Sequence, residues 1–137
     1  MKERSRYKVI YHWSGSGLAG PLAAAMHLGF VSKDAEASVL KKINLPFGGG
    51  FTGQNRGSLL YLGRAEQGEE IYILPRGRQP ELIIRTLQET ASLFGDDPIY
   101  YRFIDCEPGK AVIAINKRKF FTWLSQTVTQ VEEGLGG

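Results

Sequence analysis

Residues Tyr7 to His12 form a short run of β-branched and aromatic positions, Tyr-Lys-Val-Ile-Tyr-His, which predicts a strand. A stretch of glycine and serine follows, then Leu22 to Leu28, apolar on nearly every side. Pro21 suits the first turn of a helix, where its missing N–H costs nothing, and Gly29 supplies a stop. This helix is expected to be short and buried. A second helix is expected after Ser32, through Val39, Leu40 and Ile43, ending before Pro46. Residues 47–57 are too rich in glycine for a regular element and predict a mobile loop. Ser58 to Leu62 and Glu70 to Leu74 are apolar runs around a polar turn, which predicts a hairpin. From Glu81 to Phe94, Ile83, Ile84, Leu87, Ala91 and Phe94 recur at helical spacing, closed by Gly95-Asp-Asp-Pro98. Ile99 to Ile104 is the next strand.

Two patterns compete in the last third. Glu107-Pro-Gly-Lys110 is a turn signal that would make Ala111 to Ile115 the return arm of a hairpin. Alternatively a helix opens near Asp105 or Glu107, with a seam of Ile113, Phe120, Leu124, Val128 and Val131 in which Lys117 is a breach. The helix is preferred. Glu132 to Gly137 is expected to be a polar tail, and the ends at 1–6 and 133–137 to be flexible.

Counting reversals along the chain gives the strands directions. If the first runs up, the strand at 58–62 runs down and those at 70–74 and 99–104 run up. The expected fold is one α/β domain with a three-layer, Rossmann-like or P-loop-like open sheet, mostly parallel with one antiparallel hairpin strand. The loops at 13–21, 44–57, 75–80 and 105–110 then share one edge. That edge holds the carboxyl ends of the parallel strands, where open α/β sheets bind ligands.

Composition narrows the field. The 137 residues are 42% hydrophobic and 23% charged, with net charge +3. These values fit a soluble globular domain and fit neither disorder nor a membrane span. No long run of lysine and arginine exists, so a nucleic-acid partner is not expected. One cysteine, Cys106, rules out an internal disulfide, and His12 and His27 are too few to build a metal cluster. The apolar run at 18–28 lies too far from the basic start, and is too broken by Gly20 and Pro21, for a signal peptide; a cytoplasmic location is expected.

Gly15-Ser-Gly-Leu-Ala-Gly20 has the glycine spacing of a phosphate loop. Pro21 and Leu22 stand where that loop needs its lysine and hydroxyl, so ordinary nucleotide hydrolysis is not expected. A lesser role remains. Backbone N–H groups at Ser14, Gly15, Ser16 and Gly17 could hold a phosphate or carboxylate, with Arg56, Arg76 or Arg78 as charge partners. His12, at the end of its strand, could orient a ligand or be satisfied by a backbone group. Trp13 could stack on a ring or cap the core. Asp105 closes its strand as an acidic residue, and Cys106 is either a small buried hydrophobe or a partner for His12. His27, on the buried helix, is read as structural. Nothing in the sequence fixes a cofactor or the oligomeric state, and both are unknown at this point.

The run Val-Ile-Tyr-His, a glycine-bearing loop and Ala-Ala-Ala-Met-His-Leu-Gly resembles the opening of an uncharacterised family of small proteins from spore-forming Firmicutes. The likeness continues through Leu45-Pro46-Phe47, the hairpin ending Ile71-Tyr-Ile-Leu-Pro-Arg76, and Phe103-Ile-Asp105 followed by Pro108. The resemblance implies no activity, since the family is known only as a domain of unknown function. It does imply a cysteine after the Tyr-His pair, and a histidine and serines later in the loop. Here those places hold Trp13, Leu18, Ala19 and Gly20. The leading expectation is therefore non-catalytic binding of a small anionic ligand at the loop edge. The alternatives are an interaction module using Phe120, Phe121 and Trp123, and a phosphoryl or acyl hydrolase using His12 with Asp105 or Cys106.

Overall fold

The computed structural model describes residues 7–14, 19–32, 59–77, 80–93, 95–106 and 117–136. Strand β1 (Lys8–Trp13) precedes helix α1 (Ala19–His27). A hairpin of β2 (Leu60–Arg64) and β3 (Glu70–Pro75) comes next, then helix α2 (Pro80–Leu93). A turn of 3-10 helix at Pro98–Tyr100 leads into β4 (Tyr101–Asp105), and helix α3 (Lys117–Gly136) is last. The sheet order is β2-β3-β1-β4. Strand β1 pairs parallel with β3 and β4, and β2 pairs antiparallel with β3. The fold is α/β with a mixed four-stranded sheet, and the strand directions are those expected from the chain. The helix expected after Ser32, the loop at 47–57 and the stretch 111–115 lie outside the described residues.

Strand β1 lies between two parallel neighbours and is buried from Val9 to Trp13. A strand covered on both faces needs apolar residues at nearly every position, which is why its sequence shows little alternation. Val9, Tyr11 and Trp13 join Ile71 and Ile73 of β3 in one core, with Leu22 to Met26 of α1 and Leu124 and Val128 of α3. Helices α1 and α3 therefore cover the same sheet face. All nine residues of α1 are buried, as its apolar surround predicts. It ends in a Schellman motif: Phe30 N–H donates to Ala25 O (2.9 Å), Gly29 N–H donates to Met26 O (3.1 Å), and Gly29 has φ 83°. Helix α2 stops the same way at Gly95 (φ 83°), where Asp96 N–H donates to Ala91 O. Helix α3 runs to Gly136, past the point where a polar tail was expected. Val131 and Leu135 continue its packing against the core.

A polar chain crosses this core. Tyr11 Oη lies 2.7 Å from His27 Nδ1, and His27 Nε2 lies 2.7 Å from Glu69 Oε1. The His27 and Glu69 side chains are almost fully buried. The chain ties β1, α1 and the β2–β3 turn together. With Nε2–H donating to the carboxylate, a neutral ring leaves Nδ1 to accept the Tyr11 hydroxyl. Burial pushes the Tyr11 phenol well above its usual value, and the negative groups of Cys106, Glu132 and Glu69 act in the same direction. A phenol whose pKa is raised by folding stabilises the fold below its unfolded value, about 10, and the gain is lost as pH rises through the folded value. Unfolding free energy should then fall by up to about 1.4 kcal/mol per pH unit above about pH 10. Urea titrations near pH 8 and pH 11 should show a smaller alkaline loss in Tyr11→Phe than in the wild type. Part of the loss remains, because Tyr72 is also raised, to about 12.

Candidate functional site

The carboxyl ends of β1, β3 and β4 meet at one edge of the sheet. In the parallel register His12 sits beside Asp105 on one side and Leu74 on the other. Backbone bonds carry the alignment past the strand ends. Arg76 N–H donates to Trp13 O (2.8 Å), Gly77 N–H to Ser14 O (3.1 Å), and Cys106 N–H to His12 O (2.8 Å). Gly77, with φ 69°, adopts the left-handed conformation suited to glycine as the chain leaves β3.

Arg76 is the hub. Its Nε–H donates to His12 Nδ1 (2.9 Å), its Nη1 to Gly77 O (3.0 Å), and its Nη2 to Asp105 Oδ1 (3.2 Å). Arg76 is only 8% exposed and His12 only 4%, whereas the Asp105 side chain is 57% exposed. A buried guanidinium needs a counter-charge and hydrogen-bond acceptors, and Asp105, His12 and Gly77 supply both. Three of its five N–H groups are used in this way. Burial pushes the His12 imidazole below its ordinary value; Asp105 opposes the shift and Arg76 adds to it.

Of the residues singled out from sequence, His12, Arg76 and Asp105 are brought together here. Ser14 flanks them through its carbonyl. Trp13 is fully buried on the α1 face, so of its two expected roles it takes the one in the core. Gly15, Ser16, Gly17, Arg56 and Arg78 lie outside the described residues. Cys106 is fully buried and packs with Tyr11, Trp13 and Leu124 in the α1-side core. Strand alternation turns the His12 ring to the other face, away from that core. Trp123 is partly buried against the core.

Sequence reading offered Arg56, Arg76 and Arg78 as equals. The distinguishing signal was position: Arg76 directly follows the last residue of β3. Reading missed Glu69, a charged turn residue that the structure buries against His27. Among the described residues, no group of three metal-ligating side chains is assembled. No helix among them is long and apolar enough to cross a membrane.

Fold and site together define an α/β protein with an arginine-centred polar cluster at the carboxyl ends of its parallel strands. Over residues 8–129 the chain matches the model of the family described as "Protein of unknown function (DUF3189)", and it belongs to that family. No curated protein and no solved structure matches it.

Proposed function

We propose that this protein binds a small anionic ligand, phosphate- or carboxylate-bearing, at the carboxyl edge of its sheet without turning it over. The observation that carries this reading is the Arg76–His12 bond between β3 and β1. The connection leaving β1 returns to β3, and the connection leaving β3 crosses β1 to reach β4. Right-handed crossovers in opposite directions put α1 and α2 on opposite faces, giving a three-layer, Rossmann-like frame. The crevice between β1 and β3 is then the topological switch point, the usual ligand site of open α/β sheets. A buried arginine stands at that place, and its bonds to His12, Gly77 and Asp105 leave two of its N–H groups unused among the described residues.

Binding without turnover is supported by what the site holds. Cys106 packs into the opposite face, and Trp13, Ala19 and Gly20 occupy places where the family resemblance puts reactive side chains. The anion must share Arg76 with Asp105, so binding is expected to be modest. Asp105 is half exposed, and such a pair contributes about 0.2–1 kcal/mol. In low salt, phosphate, sulfate and acetate should raise the melting temperature of the wild type. Arg76→Ala should abolish the response, and Asp105→Asn should tighten phosphate binding roughly two- to fivefold. Calorimetry and thermal shift measure both. No response of the wild type to any of the three anions would overturn the reading.

A further inference from the structure

A guanidinium donates hydrogen bonds and accepts none, and it stays protonated wherever the fold survives. Arg76 Nε–H meets His12 Nδ1 at 2.9 Å, so that nitrogen must present a lone pair. A neutral imidazole with a bare Nδ1 carries its proton on Nε2. The other tautomer would set N–H against N–H. An imidazolium would do the same and would also place a second cation beside a buried one. The charged groups facing the ring are Arg76, which leaves β3, and Asp105 at the end of β4. Asp105 holds the guanidinium by its Nη2, which steadies the fork whose Nε–H reaches His12.

We propose that Arg76 is a positioning residue that holds His12 as its Nε2–H tautomer, so that His12 meets a ligand as a neutral hydrogen-bond donor and not as a base. The half concerning the ligand rests on the anion-binding reading above; the tautomer itself does not. The ligand's recognised atom is then an acceptor oxygen, of phosphate or carboxylate. His12 contributes direction to that contact and Arg76 contributes charge.

The test is nitrogen-15 NMR of the imidazole in uniformly labelled wild-type protein, from about pH 8 to about pH 5.5, across the ordinary imidazole range. The expected result is a protonated, pyrrole-type Nε2 and a bare, pyridine-type Nδ1 in the neutral ring, with protonation of the ring displaced below the ordinary imidazole range. A proton on Nδ1, a mixture of tautomers, or an imidazolium at neutral pH would overturn the proposal from the wild type alone. Arg76→Met and Arg76→Gln should release the lock, giving mixed tautomers and a higher His12 pKa, which a merely space-filling Arg76 would not do. An unchanged tautomer in both variants overturns the assignment to Arg76. Inorganic phosphate should shift the Nε2 signal, and His12→Ala should weaken phosphate binding roughly tenfold. A locked ring that phosphate leaves unmoved defeats the ligand half alone. Phosphate binding beside an unlocked ring defeats the tautomer half and leaves the anion reading standing.

Discussion

His27→Ala should lower the unfolding free energy by about 3–5 kcal/mol, the cost of leaving the buried Glu69 carboxylate and Tyr11 hydroxyl without their shared partner and of losing the ring's packing. His27 bridges Tyr11 and Glu69 across the core with two contacts of 2.7 Å. Alanine leaves both partners in place, buried and unbonded on that side. Glu69 cannot offset the loss through its other oxygen, since Oε2 is already buried without a hydrogen-bond partner. Urea unfolding measures the effect. Combining His27→Ala with Glu69→Gln should cost less than the two single changes added together, because the second removes the stranded charge. A loss below about 1 kcal/mol for His27→Ala, the size of one ordinary hydrogen bond, would mean that His27 does not hold both buried partners at once.

Gly20→Ala sets two principles against each other. Gly20 lies inside α1, where alanine should gain up to about 1 kcal/mol in helix propensity. A Cβ built there, however, overlaps Cε3, Cζ3 and Cδ2 of the Trp13 indole. Trp13 is fully buried and its ring has no free end to swing aside. Overpacking of this kind costs about 1–3 kcal/mol or more, and an overlap with three ring atoms belongs at the upper end. The substitution should therefore destabilise by about 2 kcal/mol net, and Gly20→Val by more. Thermal and urea unfolding will show whether packing or propensity wins. Pairing Gly20→Ala with Trp13→Leu should recover part of the loss; an equal loss with and without the indole would locate the strain elsewhere.

The strands were legible because their residue types are local signals, and their directions followed from counting reversals. Both helix stops were legible because Gly29 and Gly95 adopt a backbone conformation that other residues avoid. Tertiary pairing was harder to read. Trp13 looks the same in sequence whether it caps a ligand or fills a core, and the deciding contact is with Gly20 at the start of the next helix. Glu69 has the appearance of a solvated turn residue, and only the ring of His27 on another element makes its burial tolerable. At the far end, α3 is described from Lys117 onward, and Leu124 and Val128 of the expected seam are buried in the core. The carboxyl edge was legible through topology, because strand direction alone determines which loops share it. Which arginine stands at the strand end depends on a register that composition does not carry.

Strand β1 sits in the middle of the sheet, yet its residues precede those of both its neighbours. Lys8 pairs with Glu70 on one side and Tyr101 on the other. During synthesis the most deeply buried strand therefore leaves the ribosome long before either template for its hydrogen bonds exists. The closures that complete the sheet are long-range ones, the slow kind in folding. Until β4 arrives, an unpaired strand edge with Val, Ile and Tyr side chains is open to other chains, and the interval of synthesis is when this protein is most exposed to aggregation.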